Sequence, residues 1–346
     1  MSSKTKKKES FKEFLARKEV NISVQSYLID ALSGMALGLF SSLLIGTIFS
    51  TIAEKAGIEL FATLASYAKA ATGAALGVSI AHALKAPALV LFSAATVGIA
   101  GNELGGPVGA LIATIIATEL GKIVSKETQV DILVTPSVTI VSGVAVSMLV
   151  GPGVSSFMDF FGNVIKSATE MQPLIMGMLV ATLMGIGLTL PISSAAICVM
   201  LTLDGIAGGA ATVGGCAQML GFAIMSFKEN GWGGLVAQGL GTSMLQVPNI
   251  IKNPKIWIPP ILTSMIVGPL STCIFRLENI PAAAGMGTCG LVGPIGVLTA
   301  MPDGGSKMWI GIVLLCFILP ALLTYIFGEI LRKIGWIKEN DLKIDL

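Results

Sequence analysis

The stretch "SAATVGIAGNEL" (93–104) places a carboxylate, Glu103, inside one of the most apolar parts of the chain. The chain repeats this phrase as "GAATVGGCAQML" (209–220), and six of the twelve aligned positions are identical. In this alignment Asn102 corresponds to Gln218, and Glu103 corresponds to Met219. The two copies therefore share their apolar positions and differ in charge.

The composition predicts an all-α polytopic membrane protein. Of the 346 residues, 53% are hydrophobic and only 12% are charged, and the mean hydropathy is +0.84. A soluble domain has about one quarter charged residues. The apolar runs are continuous, as in membrane helices, whereas the strands of a β-barrel alternate.

The apolar runs predict about ten membrane segments. A span needs about 20 apolar residues, and the clear candidates are 27–53, 61–84, 108–125, 132–158, 173–200, 256–276 and 308–331. Three further runs, 87–104, 205–227 and 232–247, are interrupted by Gly, Pro, Asn or Gln. The Gly-rich stretch 281–302 is bounded by prolines and predicts a re-entrant element, which needs protein or a wet cavity around it.

The opening phrase belongs to a longer internal repeat. "GPVGALIAT" (106–114) resembles "GWGGLVAQG" (231–239), and "PSVT" (136–139) resembles "PILT" (260–263). We predict two related halves, about 27–160 and 173–280, followed by extra segments at 281–335. "GPIG" (293–296) also matches "GPVG", so the pairing of elements stays open, and shared Gly and Ala composition is the alternative explanation. Internal repeats are typical of secondary transporters, whose sites lie on broken segments near the midplane.

Positive charge is concentrated at the chain ends. Seven of the 22 basic residues fall within the first 18, and the C-terminal end carries four more. The positive-inside rule places both ends in the cytoplasm, in a multi-pass protein of the cell membrane. We interpret 1–26 as a basic amphipathic segment on the inner surface of the lipid bilayer and 336–346 as a cytoplasmic tail. A nucleic-acid patch is the alternative; we favour the topology anchor and expect no nucleic-acid partner.

Four polar residues are candidates for binding a substrate. Glu103 is the first, because a carboxylate at membrane depth is costly and therefore a functional candidate. Asn102 adds an amide that donates and accepts hydrogen bonds, Gln218 is its repeat counterpart, and His82 lies at the end of a predicted span. The alternatives are a hydrated loop for Asn102 and Glu103, packing for Gln218 and an interfacial position for His82.

The chain lacks the patterns of several other kinds of site. It contains no GxxxxGK[ST] sequence and no GxGxxG between a strand and a helix, so we expect no nucleotide cofactor. The five cysteines show no CxxC spacing and His82 is the single histidine, so we expect no metal. No catalytic constellation can be assembled from the sequence.

Three stretches resemble a known family. "PLIMGMLVATLMGIGLTLPISSAAIC" (173–198), "GGAATVGGCAQMLGFA" (208–223) and the GPxG segments around Asn-Glu resemble phosphotransferase-system enzyme IIC-like proteins of the perfringolysin O regulator group. The resemblance covers about 20–335. It implies a dimeric membrane permease that moves a sugar by alternating access and presents it to a cytoplasmic IIB protein. By residue type, Glu103 and His82 would be the sugar and phosphoryl-transfer residues.

Two functions follow from these observations. The first is an enzyme IIC-like permease for a small polar solute, a sugar by resemblance, in which Asn102, Glu103 and Gln218 line the site. As an enzyme it would be at most the membrane subunit of a sugar phosphotransferase system. The second is a membrane sensor on the same scaffold. The chain has no CxxxxxR phosphocysteine loop and no long charged docking loop, which favours the sensor, whereas Glu103 and the repeat favour transport.

Overall fold

The computed structural model describes residues 10–344, and the regular structure in this range is entirely helical. Six helices in this range are long and apolar enough to cross a membrane: Gln25–Glu54, Ala88–Val124, Asp131–Thr169, Gly205–Met225, Pro254–Phe275 and Gly305–Lys333. The predicted all-α membrane fold is confirmed, and the count of about ten segments stays a prediction. Residues 1–9, which hold the basic run 4–8, and residues 345–346 lie outside the described residues.

The described part of the chain begins with a short surface helix, Phe11–Arg17. Its start is fixed by a capping box, in which the Ser10 backbone N–H donates to Glu13 Oε2 at 2.8 Å. A continuous helix follows over 25–56, with π-helical turns at Gln25–Asp30 and Phe40–Leu44. Two further helices, Glu59–Ala70 and Thr72–Ala83, return the chain toward its starting end.

The helical stretch Ala88–Val124 is a hairpin, which we call the first hairpin. Its helical conformation is interrupted at Gly105 and Gly106. Gly106 has φ 59° and ψ −161°, a combination that is essentially restricted to glycine. The arms 88–104 and 107–124 then run antiparallel, because Val97 packs against Ala113 and Ala117. The predicted segments 87–104 and 108–125 are therefore the two arms.

The base of the first hairpin is tied to the preceding segments by one buried lysine. Lys122 Nζ donates to the carbonyl oxygens of Leu84 and Glu19, each at 2.9 Å, and to Glu119 Oε1 at 3.1 Å. A buried ammonium group is stable only when its charge and its donors are satisfied. Lys122 therefore holds the hairpin base, the preceding helix end and the N-terminal segment together.

The middle of the chain contains a long helix and a broken one. Helix Asp131–Thr169 contains Pro136 and Pro152. The predicted span 173–200 is divided into Pro173–Thr189 and Ser194–Met200. Pro191 lies in the connecting residues 190–193, where a continuous helix would lose a backbone hydrogen bond.

A second hairpin (205–241) contains the repeated phrase. Its first arm is Gly205–Met225, and the chain turns back through Phe227–Val236 and the π-helical turn Ala237–Gly241. Gln238 Nε2 donates to Ser226 Oγ at 2.8 Å across the two arms. The 3₁₀ turn Ser243–Gln246 and helix Val247–Lys252 then lead back toward the hairpin tip. Residues 232–252 thus form a re-entrant segment.

The region 281–300 also doubles back within the bundle, and its assignment as a re-entrant membrane element stays a prediction. It comprises Pro281–Ala284, the 3₁₀ turn Cys289–Leu291 and Val292–Ala300. Near its entry, the Asn279 backbone N–H donates to the Gly205 carbonyl oxygen at 3.1 Å. At its deepest point Thr288 Oγ1 donates to the Gly239 carbonyl oxygen at 2.6 Å. The chain returns to the entry end at Met301, whose Sδ accepts from the Glu278 backbone N–H at 3.2 Å.

Both ends of the described chain lie at the same end of the helix bundle. After helix Gly305–Lys333, Ile344 packs in a cluster with Ala36 and Leu245. We call this the tail end. The base of the first hairpin lies there, whereas its tip points away from it. The tip of the second hairpin lies at the tail end, where Asn230 Nδ2 donates to the Leu342 carbonyl oxygen at 2.8 Å.

The two hairpins therefore run in opposite directions, and several features match between them. Gly231 has φ 56° and ψ −155°, nearly the conformation of Gly106, with which the repeat aligns it. Gly98 packs on the backbone of Gly77, and its counterpart Gly214 packs on the backbone of Ala181. These matches support a duplication with inverted orientation, of the kind found in many transporters. The repeat and its boundaries stay a proposal.

Candidate functional site

Four chain interruptions meet around one cavity of about 710 Å³. They are the tip of the first hairpin, the break at 190–193, the turn at 241–244 and the deep part of 281–300. Backbone polar groups at membrane depth are tolerated where protein or a water-filled cavity surrounds them. The lining residues with polar side chains are Thr47, Ser50, Thr51, Glu54, Lys69, Thr72, Asn102, Ser193, Ser194, Thr242 and Thr299.

One wall of this cavity is a polar stripe on the helix over 25–56. Thr47, Ser50, Thr51 and Glu54 share one helical face because of their spacing. Thr47 Oγ1 donates to the Leu43 carbonyl oxygen at 2.8 Å, and Thr51 Oγ1 donates to the Thr47 carbonyl oxygen at 3.1 Å. The hydroxyl hydrogens are used within the helix, so these oxygens offer acceptors to the cavity.

The helices Glu59–Ala70 and Thr72–Ala83 face this stripe. Lys69 Nζ donates to Ser50 Oγ at 2.7 Å, and Thr72 Oγ1 donates to the Lys69 carbonyl oxygen at 2.7 Å. Lys69 and Glu54 are both exposed, so the charged groups of this cavity lie at its open end.

Asn102 and Glu103 line different cavities. Asn102 is half-buried in the wall of the larger cavity. Glu103 is exposed and lines a second cavity of about 300 Å³, together with Asp159. The two cavities share Gly106, Pro107, Ile192 and Ser193 in their walls. The hairpin tip thus carries an amide toward one space and a carboxylate toward the other.

Gln218 is completely buried and lines neither cavity. Its Oε1 accepts from Trp257 Nε1 at 2.9 Å and from Thr189 Oγ1 at 3.2 Å. Thr189 Oγ1 also lies 2.9 Å from Ser243 Oγ. Gln218 therefore connects the second hairpin to the chain segments that flank two of the breaks, and its Nε2 has no hydrogen-bond partner among the described residues.

His82 is separate from these residues. It is exposed near the end of helix Thr72–Ala83 and lines neither cavity. Leu84, two residues further on, accepts from the buried Lys122 at the base of the first hairpin. His82 therefore lies toward the tail end, at the opposite end of the first hairpin from Asn102 and Glu103.

The polar stripe and Lys69 were not predicted from the sequence. Their signal is present in "GTIFSTIAEK" (46–55), where polar residues recur at helical spacing within an otherwise apolar span. Within residues 10–344, no group of three or more His, Cys, Asp and Glu residues could hold a metal ion. Cys289 lines the larger cavity as a buried free thiol.

These features define a class: a multi-pass helical membrane protein with a cavity at chain interruptions, whose mainly apolar walls carry a set of polar side chains. A family model described as "Phosphotransferase system, EIIC" matches residues 29–344. The chain belongs to this family, and it is a membrane component of sugar transport. Neither the curated proteins nor the solved structures include a significant match to the chain.

Proposed function

We propose that the chain is a sugar permease whose solute site is the cavity of about 710 Å³. The observation that carries this proposal is the convergence of four chain interruptions on one cavity whose mainly apolar walls carry several polar side chains. Interrupted segments expose backbone groups that can contact a solute, and they allow neighbouring elements to move. The volume lies within the range of about 300–1,000 Å³ that is usual for ligand pockets.

The polar groups of the cavity match the chemistry of a sugar. Each sugar hydroxyl both donates and accepts a hydrogen bond. The oxygens of Thr47 and Thr51 offer acceptors, and the Asn102 amide offers both functions. We propose that Asn102 contacts the solute directly. Gln218 does not contact the solute in this proposal; its hydrogen bonds fix the positions of Thr189 and Trp257.

Glu103 has a different proposed role. It lies on the hairpin tip but lines the second cavity, so a proton bound there could alter the tip without occupying the solute site. We propose that Glu103 carries a coupling proton or orders the tip during alternating access. Movement of the first hairpin relative to the segments at 190–193 and 241–244 would expose the larger cavity to one end or the other.

The family membership also suggests partners and an orientation. We propose that the tail end faces the cytoplasm, that a IIB protein approaches it, and that His82 lies near this encounter. On the resemblance alone, we further propose a homodimer and membership of the perfringolysin O regulator group.

Mass measurement in nanodiscs tests the homodimer. A single mass equal to that of one chain would contradict it.

Uptake into proteoliposomes tests the function. We expect one sugar among a panel of hexoses, hexosamines and hexitols to accumulate when phosphorylated IIB protein is enclosed within the vesicles. The control omits the IIB protein and imposes a proton gradient, which separates phosphoryl-coupled from proton-coupled transport. Saturable binding of a sugar without uptake under either condition would contradict transport and support a sensor.

A further inference from the structure

The described C-terminal tail (336–344) lies in a groove lined by amide side chains. Asn230 Nδ2 donates to the Leu342 carbonyl oxygen at 2.8 Å, and its Oδ1 accepts from the Ile344 backbone N–H at 2.9 Å. One side chain thus pairs with the backbone on both sides of Lys343, as a neighbouring β-strand would.

Three more amides complete the groove. Gln246 Nε2 donates to the Leu342 carbonyl oxygen at 2.9 Å, Asn249 Nδ2 to that of Lys343 at 2.7 Å, and Asn253 Nδ2 to that of Trp336 at 3.0 Å. These contacts go to backbone atoms, and Asn253 Nδ2 also donates to Asp341 Oδ2 at 2.7 Å. The groove therefore holds the tail in a turned conformation, in which the Asp341 N–H donates to the Lys338 carbonyl oxygen and the Lys343 N–H to that of Asn340.

Apolar side chains anchor the tail between these hydrogen bonds. Leu342 is completely buried, and Ile337 is almost completely buried; both pack in a cluster with Phe222 and Ile256. The tail is therefore held by backbone recognition and by apolar burial together, at the tip of the second hairpin.

One chain segment contributes both to the groove and to the wall of the cavity. Asn230, Gln246 and Asn249 flank or belong to the re-entrant segment 232–252, whose turning point at 241–244 contributes Gly241, Thr242 and Met244 to the cavity wall. The turning point is held by a polar contact, Ser243 Oγ to Thr189 Oγ1 at 2.9 Å, and by apolar packing of Met244 in a cluster with Leu39. The neighbouring Gly239 carbonyl oxygen accepts from Thr288, next to Cys289.

We propose that the tail is a strap that fixes the re-entrant segment 232–252 against the cavity and keeps the tail end closed. On release the amides exchange the tail backbone for water with little net change in hydrogen bonding, so the main cost of release is the exposure of Leu342 and Ile337. Release of the strap frees the segment to move and opens a route between the tail end and Cys289. This inference concerns access to the cavity and does not depend on which solute the cavity binds.

Alkylation of Cys289 tests the strap in full-length protein in nanodiscs. The reference protein has serine in place of the other four cysteines, so that N-ethylmaleimide reports on the cavity wall alone; these are Cys198, Cys216, Cys273 and Cys316.

The test variant adds Asn230→Ala and Asn249→Ala, both outside the cavity lining. The matched control adds Glu339→Ala, an exposed tail residue. We expect the test variant to react about tenfold faster than the reference, and the control to react at the reference rate.

Limited trypsin digestion of the same samples reports release of the tail, because Lys338 and Lys343 lie within it. We expect faster cleavage at both lysines in the test variant. Faster cleavage with an unchanged rate of Cys289 alkylation would overturn the strap, because the tail would then be free without opening the cavity. Unchanged cleavage would overturn the claim that the amides hold the tail.

A chain that ends at Gly335 lacks the tail and provides the second variant. It should show the same increase in the rate of Cys289 alkylation.

Discussion

Asn102 and Glu103 are consecutive in the chain, yet they line two different cavities that meet at the tip of the first hairpin. A helix places adjacent residues about 100° apart, so two neighbours at its end can face separate spaces. The break at Gly105 and Gly106 follows at once, and it leaves this pair at the turning point of the chain. The separation suggests that solute binding and coupling are divided between the two residues.

Substitution of Glu103 tests this division. We expect Glu103→Gln to lower the rate of sugar uptake by about tenfold or more, because it removes the titratable group. Sugar affinity should change by less than about twofold, since Glu103 does not line the larger cavity. Uptake and equilibrium binding in the same proteoliposomes measure both. The control is Glu170→Gln at the exposed end of helix Asp131–Thr169, and unchanged uptake in Glu103→Gln would remove Glu103 from the mechanism.

The hairpin tip depends on the backbone conformation of Gly106. A Cβ there has open space around it, so Gly106→Ala acts through the backbone alone and should destabilise the tip by about 1–3 kcal/mol. The control is Gly153→Ala, which also has open space but lies in regular helix. It should be neutral or stabilise by up to about 1 kcal/mol. Thermal unfolding in nanodiscs compares the two, and equal midpoints would argue against the restrained tip.

Gln218 should be needed for stability more than for solute contact. Gln218→Leu removes the acceptor for the partly buried Trp257 indole N–H, and leaving that donor unpaired costs about 1–3 kcal/mol. The Thr189 hydroxyl keeps the Gly185 carbonyl oxygen and Ser243 as partners. The control is Gln25→Leu, because Gln25 makes its hydrogen bond to Asp30 at an exposed position. Thermal unfolding measures the difference. A Gln218→Leu protein that unfolds like the control would show that this network does not hold the wall.

The surface helix Phe11–Arg17 should be docked less firmly in acid. Hydrogen bonds from Lys18 and Arg17 hold the pKa of the exposed Glu127 carboxylate below its usual value. A carboxylate with a lowered pKa stabilises the docked state above its ordinary pKa of about 4.3, and this contribution is lost as the pH falls through the lowered pKa. The protection factors of residues 10–20 in hydrogen exchange, taken relative to the intrinsic exchange rate at each pH, should therefore fall below about pH 4.

Glu127→Gln tests the cause of this pH dependence. We expect lower protection factors for residues 10–20 at neutral pH in this variant, and little further change in these factors in acid. Glu19→Gln is the control, because the backbone carbonyl oxygen of Glu19, and not its carboxylate, contacts Lys122. Identical exchange in Glu127→Gln and the unaltered protein would show that this ion pair does not dock the helix.

Much of the fold was predictable from local sequence. Continuous apolar runs predict helices at membrane length, and the Gly- and Pro-rich stretch 281–302 predicts a re-entrant element, because neither pattern depends on distant contacts. The doubling back of Ala88–Val124 was only partly predictable. "GNELGGPVG" (101–109) predicts a break, but the antiparallel packing of Val97 on Ala117 is a contact between the arms.

The sequence pointed to some residues of the larger cavity and not to others, and the reason differs between residues. Asn102 was identified because an amide is conspicuous in an apolar run. Thr47 and Thr51 were missed because hydroxyl residues are common in membrane helices, where they bond to the preceding turn. Whether Gln218 faces a cavity or a packed wall depends on Trp257 and Thr189, which lie 39 and 29 residues away along the chain.

The central claim is that the sugar binds in the larger cavity beside Asn102, and equilibrium binding of the transported sugar tests it most directly. The comparison is Asn102→Ala against Asn163→Ala, an exposed asparagine outside both cavities. We expect Asn102→Ala to weaken sugar binding by about tenfold, the loss of one or two hydrogen bonds, and Asn163→Ala to leave it unchanged. Equal affinity in the two variants would contradict the assignment of this cavity as the solute site.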